Sequence, residues 1–293
     1  MRHISPLRYP GGKACLTGFL ADIIDLNDLR GCNYFEPYAG GAGAALNLLK
    51  RRVVSEIYLN DADTRIFSFW LSVLNESDRF VDRVHNVPLT IEEWQRQNAI
   101  CSKPDGHPQF DVGFAAFFMN RCNRSGVLTG SGPIGGYRQT GKWLIDARFN
   151  RDELSERVLT IKRFRDSIHI NCEDAIVFLK KLLPRGRGRS RVFAYLDPPY
   201  VSNGKRLYLN AYDDSDHKSL SRYMTSQKSL HWLVSYDDSE LIREIYEENK
   251  VSNIPIRYTL QKKRFAQELI IAPSYLILPH ICRVHKKESR LSR

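Results

Sequence analysis

Apolar residues recur at helical spacing over 14–29, where Leu16, Phe19, Leu20, Ile23 and Ile24 fall on one face. The short apolar run 33–36 reads instead as a buried strand, and it enters a glycine-rich turn at 37–43. A helix is expected over 44–50, and a second strand over 55–60 (SEIYLN) that ends at Asp61. Strand, turn, helix and strand in that order open a doubly wound α/β domain.

The pattern changes after about residue 64. Residues 65–120 read mainly as helices, with Phe67, Phe69, Trp70, Leu71 and Leu74 as core candidates. Residues 121–145 are rich in Gly, Ser and Arg and carry no clean period. A loop that long inside a compact protein is usually functional or mobile. Strand signals resume at 167–171 and 192–196, then at 232–235, 256–260 and 268–271. The expectation is therefore one α/β domain, residues 1–64 and 166–293, divided by an insertion over 65–165. No internal repeat is visible. The last eleven residues carry five cations and are expected to form a loose tail.

Composition narrows the class. At 293 residues, 42% hydrophobic and 26% charged, the chain fits one large globular domain or one domain with an insertion. It has no apolar run long enough for a bilayer. Its polar opening, MRHISPLRYPGGK, predicts folded chain rather than a leader, and its six cysteines read as free thiols of a reducing cytoplasm, where DNA binding would associate the protein with the nucleoid. Lysine and arginine exceed acids by 44 to 33. That surplus suits a polyanionic partner and equally a soluble protein that happens to be basic. The six cysteines form no C-x-x-C pair and have no histidine cluster, so neither a metal site nor a disulfide framework is expected.

Three short segments carry chemistry. Asp197-Pro198-Pro199-Tyr200 directly follows the apolar strand 192–196. Ligands of open α/β sheets bind beyond the carboxyl ends of strands. Ionised Asp197 is an acceptor only; Pro198 lacks an N–H but its carbonyl accepts, and Pro199 stiffens the chain. The turn thus offers two acceptors to an amino group and, in Tyr200, a flat face for a planar base. It reads equally as a proline-rich turn without chemistry.

In the second segment, FEPYAGGAG (35–43), glycines at a strand-to-helix turn let a ligand approach the backbone. A dinucleotide would fit as well, although the G-x-G-x-x-G spacing of a dehydrogenase is missing. Asp61, at the end of the next strand, can hold a ribose hydroxyl pair or cap a helix. In the third segment, RYPGGK (8–13), Tyr9 offers a ring to a sulfonium and Lys13 an ammonium to a carboxylate.

Taken together and in order, RYPGGK (8–13), EPYAGGAG (36–43), LNDAD (59–63) and DPPY (197–200) resemble the Dam-type DNA adenine methylases of bacteria and phages. The resemblance extends to FFMNRCNRSGVLTG (117–130), WLVSYDD (232–238) and ELIIA (268–272), and so covers most of the chain. It implies a Rossmann-like methyltransferase domain and a DNA-recognition insertion. It also implies methyl transfer from S-adenosylmethionine to N6 of a flipped adenine in duplex DNA, by direct in-line displacement without a metal.

The resemblance assigns roles as well. Tyr9, Gly11, Gly12, Lys13, Asp61 and Asp197 would line the cofactor pocket. Glu36, Tyr38, Gly40 and Gly43 would shape its methionine end, and Asp174 would sit near its adenine. Asp197, Pro198, Pro199 and Tyr200 would hold the target base. Arg121, Asn123, Arg124, Arg138 and Lys142 would meet DNA, mostly at phosphates, and Arg8 could reach a guanine edge.

The family often has Gly or Ser at Ala42 and Asn at Asp63. Related S/D/N-P-P-Y/F enzymes methylate cytosine N4 or glutamine side chains. Asp in the first position, RYPGGK and the basic insertion favour adenine. An inactive methylase-like DNA-binding protein is the non-enzymatic alternative. A monomer is expected, with or without a cognate restriction nuclease or defence partner.

Residues 180–191 hold six cations in twelve positions and read as a solvated loop before a phosphate clamp. Trp70, Trp94 and Phe114–Phe118 read as core, His217 and His231 as surface or capped residues, and Asp213–Asp216 as a helix cap.

Overall fold

Alternation along the strands sorts the apolar side chains onto the two faces of one sheet. In the computed structural model, which describes residues 4–8, 12–201, 212–258 and 264–279, this sheet has seven strands. They are β1 (Cys32–Glu36), β2 (Val54–Asn60), β3 (Ile168–Asn171), β4 (Val192–Leu196), β5 (His231–Asp237), β6 (Lys250–Tyr258) and β7 (Arg264–Ala272). Their order is β3-β2-β1-β4-β5-β7-β6. β1 to β5 run parallel, while β7 is antiparallel to both β5 and β6.

Tyr34, Ile57, Phe193, Tyr195 and Leu233 face α1 (Thr17–Leu26) and α2 (Gly43–Lys50). Phe35, Ala194, Leu196, Trp232 and Val234 face α8 (Ala175–Leu182), α9 (Asp214–Thr225) and α10 (Glu240–Ile245). With helices on both faces, β4 is buried along its whole length, as the unbroken run VFAYL implies. This is the doubly wound α/β architecture expected from the sequence.

Between β2 and β3 the chain makes α3 (Thr64–Asn75), α4 (Ser77–Asn86), α5 (Ile91–Ser102), α6 (Gln109–Cys122) and α7 (Arg151–Lys162). Side-chain caps begin several helices: Asp63 for α3, Thr90 for α5, Asn150 for α7 and Asp174 for α8. The acidic stretch before α9 is a capping box made by Asp213 and Asp216, as expected. Helix α6 is buried almost throughout and packs closely on α3. At Gly113 a β-carbon would stand 2.4 Å from the Ser68 carbonyl oxygen. Phe80 meets the rings of Phe110, Phe114 and Phe117 at centroid distances of 5.2–6.0 Å. Ile66, Phe69 and Trp70 of α3 share one continuous interior with Tyr34 and Ile57 of the sheet.

Several expectations shift. β6 begins at Lys250, six residues before the apolar run that signalled it, because pairing with β7 and not alternation sets its length. His217 is fully buried in α9, where its Nδ1 lies 2.9 Å from the Tyr236 hydroxyl, so the surface assignment is corrected. The basic run ends in a 3-10 turn, Gly186–Arg191, with no buried residue, in keeping with a solvated loop. The tail 283–293 and Cys282 lie outside the described residues.

Candidate active site

The strand order reverses between β1 and β4, and the crevice at such a switch point is where open α/β sheets bind ligands. The two turns singled out in the sequence flank it. One leaves β1 at Pro37 and the other leaves β4 at Asp197.

A buried ionic cluster ties the second turn to the N-terminal segment. Lys13 opens a 3-10 helix, Lys13–Leu16, that packs against α2. Its Nζ lies 3.0 Å from Asp197 Oδ1 and 3.1 Å from Glu268 Oε1, and it donates to the Tyr200 hydroxyl at 2.7 Å. The Tyr200 hydroxyl also donates to Glu268. Ser235 on β5 donates to Asp197 Oδ1 at 2.8 Å and is itself paired with the Tyr195 hydroxyl at 2.8 Å. Asp197 Oδ1 is thus held by two donors, and among the described residues Oδ2 has no such contact.

Burial pulls the Lys13 ammonium down, but Asp197 and Glu268 outweigh that and hold it above the usual range. Burial pushes the Glu268 carboxyl up while Lys13 pulls it down.

The first turn is braced from β2. Gly40, at φ +46°, donates its N–H to Asp61 Oδ2 at 2.9 Å, and its carbonyl accepts from Trp70 Nε1 at 2.9 Å. Asp61 Oδ1 accepts from the Asp63 N–H at 2.9 Å. Helix α3 is capped by Asp63, whose carboxylate also pairs with Arg65, so the capping alternative for Asp61 is set aside. Asn60, fully buried, donates to the carbonyls of Pro37 at 3.0 Å and Glu173 at 2.9 Å, which joins the carboxyl ends of β1, β2 and β3.

Ala42 sits in the left-handed region at φ +46°, where glycine would carry no Cβ penalty. Gly43 is needed for packing: a β-carbon would stand 3.0 Å from Ala14 Cβ, beside Lys13.

Carboxylates outnumber cations around the crevice. Burial, with the Asp197 charge adding to it, pushes Glu36 up to about 8. Burial and then Asp63 push Asp61 up to about 7. Glu36 Oε2 and Glu268 Oε2 are buried and have no partner among the described residues. Among the described residues, Glu36, Asp197 and Glu268 act on Lys13, while Asp61 is offset by Arg65, in a chain whose net charge is +11. A cationic ligand would favour the ionised form of these raised carboxyls.

Other expected residues fall at the rim or elsewhere. Gly12 precedes Lys13 in extended backbone, while Tyr9 and Gly11 lie outside the described residues. The Tyr38 hydroxyl meets that of Tyr212 at 2.7 Å. Asp174 is exposed, and its Oδ1 caps α8 through the N–H groups of Ile176 and Val177. Pro198 is buried and Pro199 half-buried.

The expected DNA residues divide. Arg8, Arg124, Arg138 and Lys142 are exposed. Arg121 is buried beside α7, and its Nε has no partner among the described residues. Burial, then Arg157 and Arg8, pull its guanidinium down to about 9. Asn123 is corrected: it is fully buried, accepts from Trp94 Nε1 at 2.7 Å and donates to Val127 O at 2.8 Å. It builds the loop and does not face a partner.

Sequence reading missed Glu268, Ser235 and Asn60. Each nevertheless lies in a segment that carried the resemblance: ELIIA for Glu268, WLVSYDD for Ser235 and LNDAD for Asn60.

The sequence profile of the D12 class N6 adenine-specific DNA methyltransferase family matches residues 9–260. No curated protein matches the chain. Among solved structures, the rRNA methyltransferase aviRa from Streptomyces viridochromogenes is similar over 87% of this chain and 83% of its own, with 13% identity and a TM-score of 0.30. A score that low carries no argument.

Proposed function

Because the chain belongs to the D12 class N6 adenine-specific DNA methyltransferase family, its reaction is methyl transfer to adenine N6 in DNA, and we propose that the acid-lined crevice takes S-adenosylmethionine as donor. The observation that carries this reading is the surplus of buried carboxylates around Lys13, with Glu36 Oε2 and Glu268 Oε2 left unpaired. S-adenosylmethionine supplies a methyl group on a cationic sulfur and an ammonium group, both suited to such a site. Asp61, braced on Gly40, takes the ribose hydroxyls. Glu36, Tyr38, Gly40 and Gly43 shape the methionine end, Asp174 stands near the adenine end, and Tyr9, Gly11 and Gly12 close the N-terminal side.

At the target base, Asp197 and the Pro198 carbonyl accept the two N6 hydrogens. That localises the nitrogen lone pair and aims it at the methyl group. Ser235 and Lys13 hold one Asp197 oxygen and leave the other for the amine. Tyr200 stacks on the base, its ring oriented by Lys13 and Glu268. Pro199 stiffens the turn. A base in a duplex cannot reach such a crevice, so the adenine is flipped out.

Residues 65–165 form the recognition insertion between the two parts of the catalytic domain. Arg8, Arg124, Arg138 and Lys142 grip phosphates. Arg121, buried among cations, takes one that relieves the repulsion of its neighbours. The enzyme works as a monomer in the cytoplasm, with or without a cognate nuclease.

The test is transfer of labelled methyl groups to unmethylated bacterial duplex DNA, with nucleoside analysis. N6-methyladenine from the wild type and none from Asp197→Ala is the expected result. N4-methylcytosine would overturn the target assignment. Transfer undiminished in Asp197→Ala would overturn the role of the turn.

A further inference from the structure

The loop 123–145 contains three cations, Arg124, Arg138 and Lys142, and no acid. It has a fixed framework. Asn123 at its root is held by Trp94, Val127 and Leu128. The Ile134 N–H donates to Cys122 O at 2.8 Å, and the Arg124 N–H to Gly132 O at 3.1 Å. Gln139 spans the tip, donating to the carbonyls of Ile134 and Gly136 at 2.9 and 2.6 Å and accepting from the Ile145 N–H at 2.9 Å. The backbone of Trp143 and Leu144 lies directly on Gly135, where a β-carbon would stand 2.9 Å from Trp143 O. Ile145 is buried and anchors the return.

This framework turns apolar side chains outward. Trp143 is 66% exposed, Tyr137 63% and Leu144 42%. The other three tryptophans, Trp70, Trp94 and Trp232, are at most 4% exposed. Tyr137 rests edge-on against Trp94, with centroids 5.5 Å apart and ring planes at 86°, so it is braced while its outer face stays open. Water around an indole is unfavourable, and this one stays largely exposed, with the Lys142 Nζ over its ring at 5.9 Å from the centroid. Phosphates alone would need only the cations. Cations flanking a largely exposed aromatic ring suit a nucleic acid read through both its backbone and its bases.

We propose that Trp143 stacks on the bases of duplex DNA beside the extruded adenine, while Arg138 and Lys142 hold the flanking phosphates. This rests on the proposed reading of the site as one that flips its target. Trp143 is a positioning residue: it touches neither the methyl donor nor the reacting nitrogen, and acts by occupying stacking surface that the extruded base leaves behind.

The exposure pattern makes the test direct, since Trp143 is the one solvent-accessible tryptophan. Wild-type protein is titrated with sheared, unmethylated bacterial duplex DNA while tryptophan emission and its quenching by acrylamide are followed. The expected result is a DNA-dependent fall in emission together with protection from acrylamide, both lost in Trp143→Phe. Trp143→Ala is expected to bind DNA roughly ten- to a hundredfold more weakly. It should melt at the wild-type temperature and keep the wild-type slope of log affinity against log salt. Lys142→Ala instead lowers that slope by about 1.

Emission unchanged on DNA binding, or Trp143→Ala binding and methylating as well as wild type, overturns the proposal. A change in the salt slope with Trp143→Ala does so too. If the wild type itself neither binds DNA nor transfers methyl groups to it, the functional reading falls first. The two failures are therefore distinguishable.

Discussion

Replacing Lys13 by Met removes the cation paired with Asp197 and Glu268 and keeps the side chain's bulk. Lys13 is 4% exposed and Glu268 1%, and their charged atoms are 3.1 Å apart, with Asp197 3.0 Å away on the other side. At an effective dielectric constant of about 20, each such contact is worth roughly 5 kcal/mol before desolvation. Desolvation offsets most of that in the intact cluster, but breaking a buried pair leaves an uncompensated charge and costs about 3–5 kcal/mol. For a chain of 293 residues the unfolding entropy is about 0.6 kcal/mol/K, so the midpoint should fall by roughly 5–8 °C.

Glu268 can escape part of this cost by taking a proton. Its folded carboxyl is already raised, and without Lys13 it rises further. A raised acid contributes stability that is present at low pH and lost as pH climbs toward its folded value. The Lys13→Met loss should therefore be larger at pH 8.5 than at pH 6. Adding Glu268→Gln should restore more than half of it, because the amide keeps a partner for Tyr200 without the charge. Thermal melts of wild type, single and double variants at both pH values decide the matter. A single variant within 1 °C of wild type, or a double variant no better than the single, refutes the reasoning.

Asp61→Asn should raise the KM for S-adenosylmethionine at least about tenfold, since the amide cannot accept from two ribose hydroxyls through both atoms; initial-rate kinetics measure it. In the unliganded protein Asp61 is raised to about 7, so it stabilises the fold at low pH and that contribution is lost as pH rises from about 4 to 7. Asp61→Asn should flatten the melting temperature over that window. Gly113→Ala places a carbon against the Ser68 carbonyl and should cost about 1–3 kcal/mol, seen in urea unfolding of the helical segment. Asn123→Ala leaves the Trp94 N–H and two loop carbonyls unpaired, which should lower stability by about 1–3 kcal/mol and weaken DNA binding by gel shift while S-adenosylmethionine affinity stays unchanged.

Much of the sheet was legible in the chain. The run VFAYL at 192–196 is β4 with the same bounds, and the strands expected at 33–36 and 55–60 each gain one residue. β1 and β4 are parallel and largely buried, so their sequence runs and the turns that follow are local consequences of being covered on both faces. The four ordered motifs likewise carried the family and the target base. The turns at Gly40 and Asp197 were legible because backbone conformation and acceptor chemistry are written in consecutive residues.

Tertiary structure decided what depends on partners remote in sequence. Glu268 joins Lys13 across 255 positions, and a lone acid at the head of an apolar strand does not say which cation it will meet. Asn60, between Pro37 and Glu173, and Ser235, beneath Asp197, are polar residues whose value lies in bracing ends that only strand order brings together. Asn123 and Arg124 are one residue apart in a polar segment, yet one is buried and the other exposed, because Trp94 captures the first. Periodicity and motif report each residue's own preferences. Burial, and with it charge state, pairing and role, is set by what the fold packs against it.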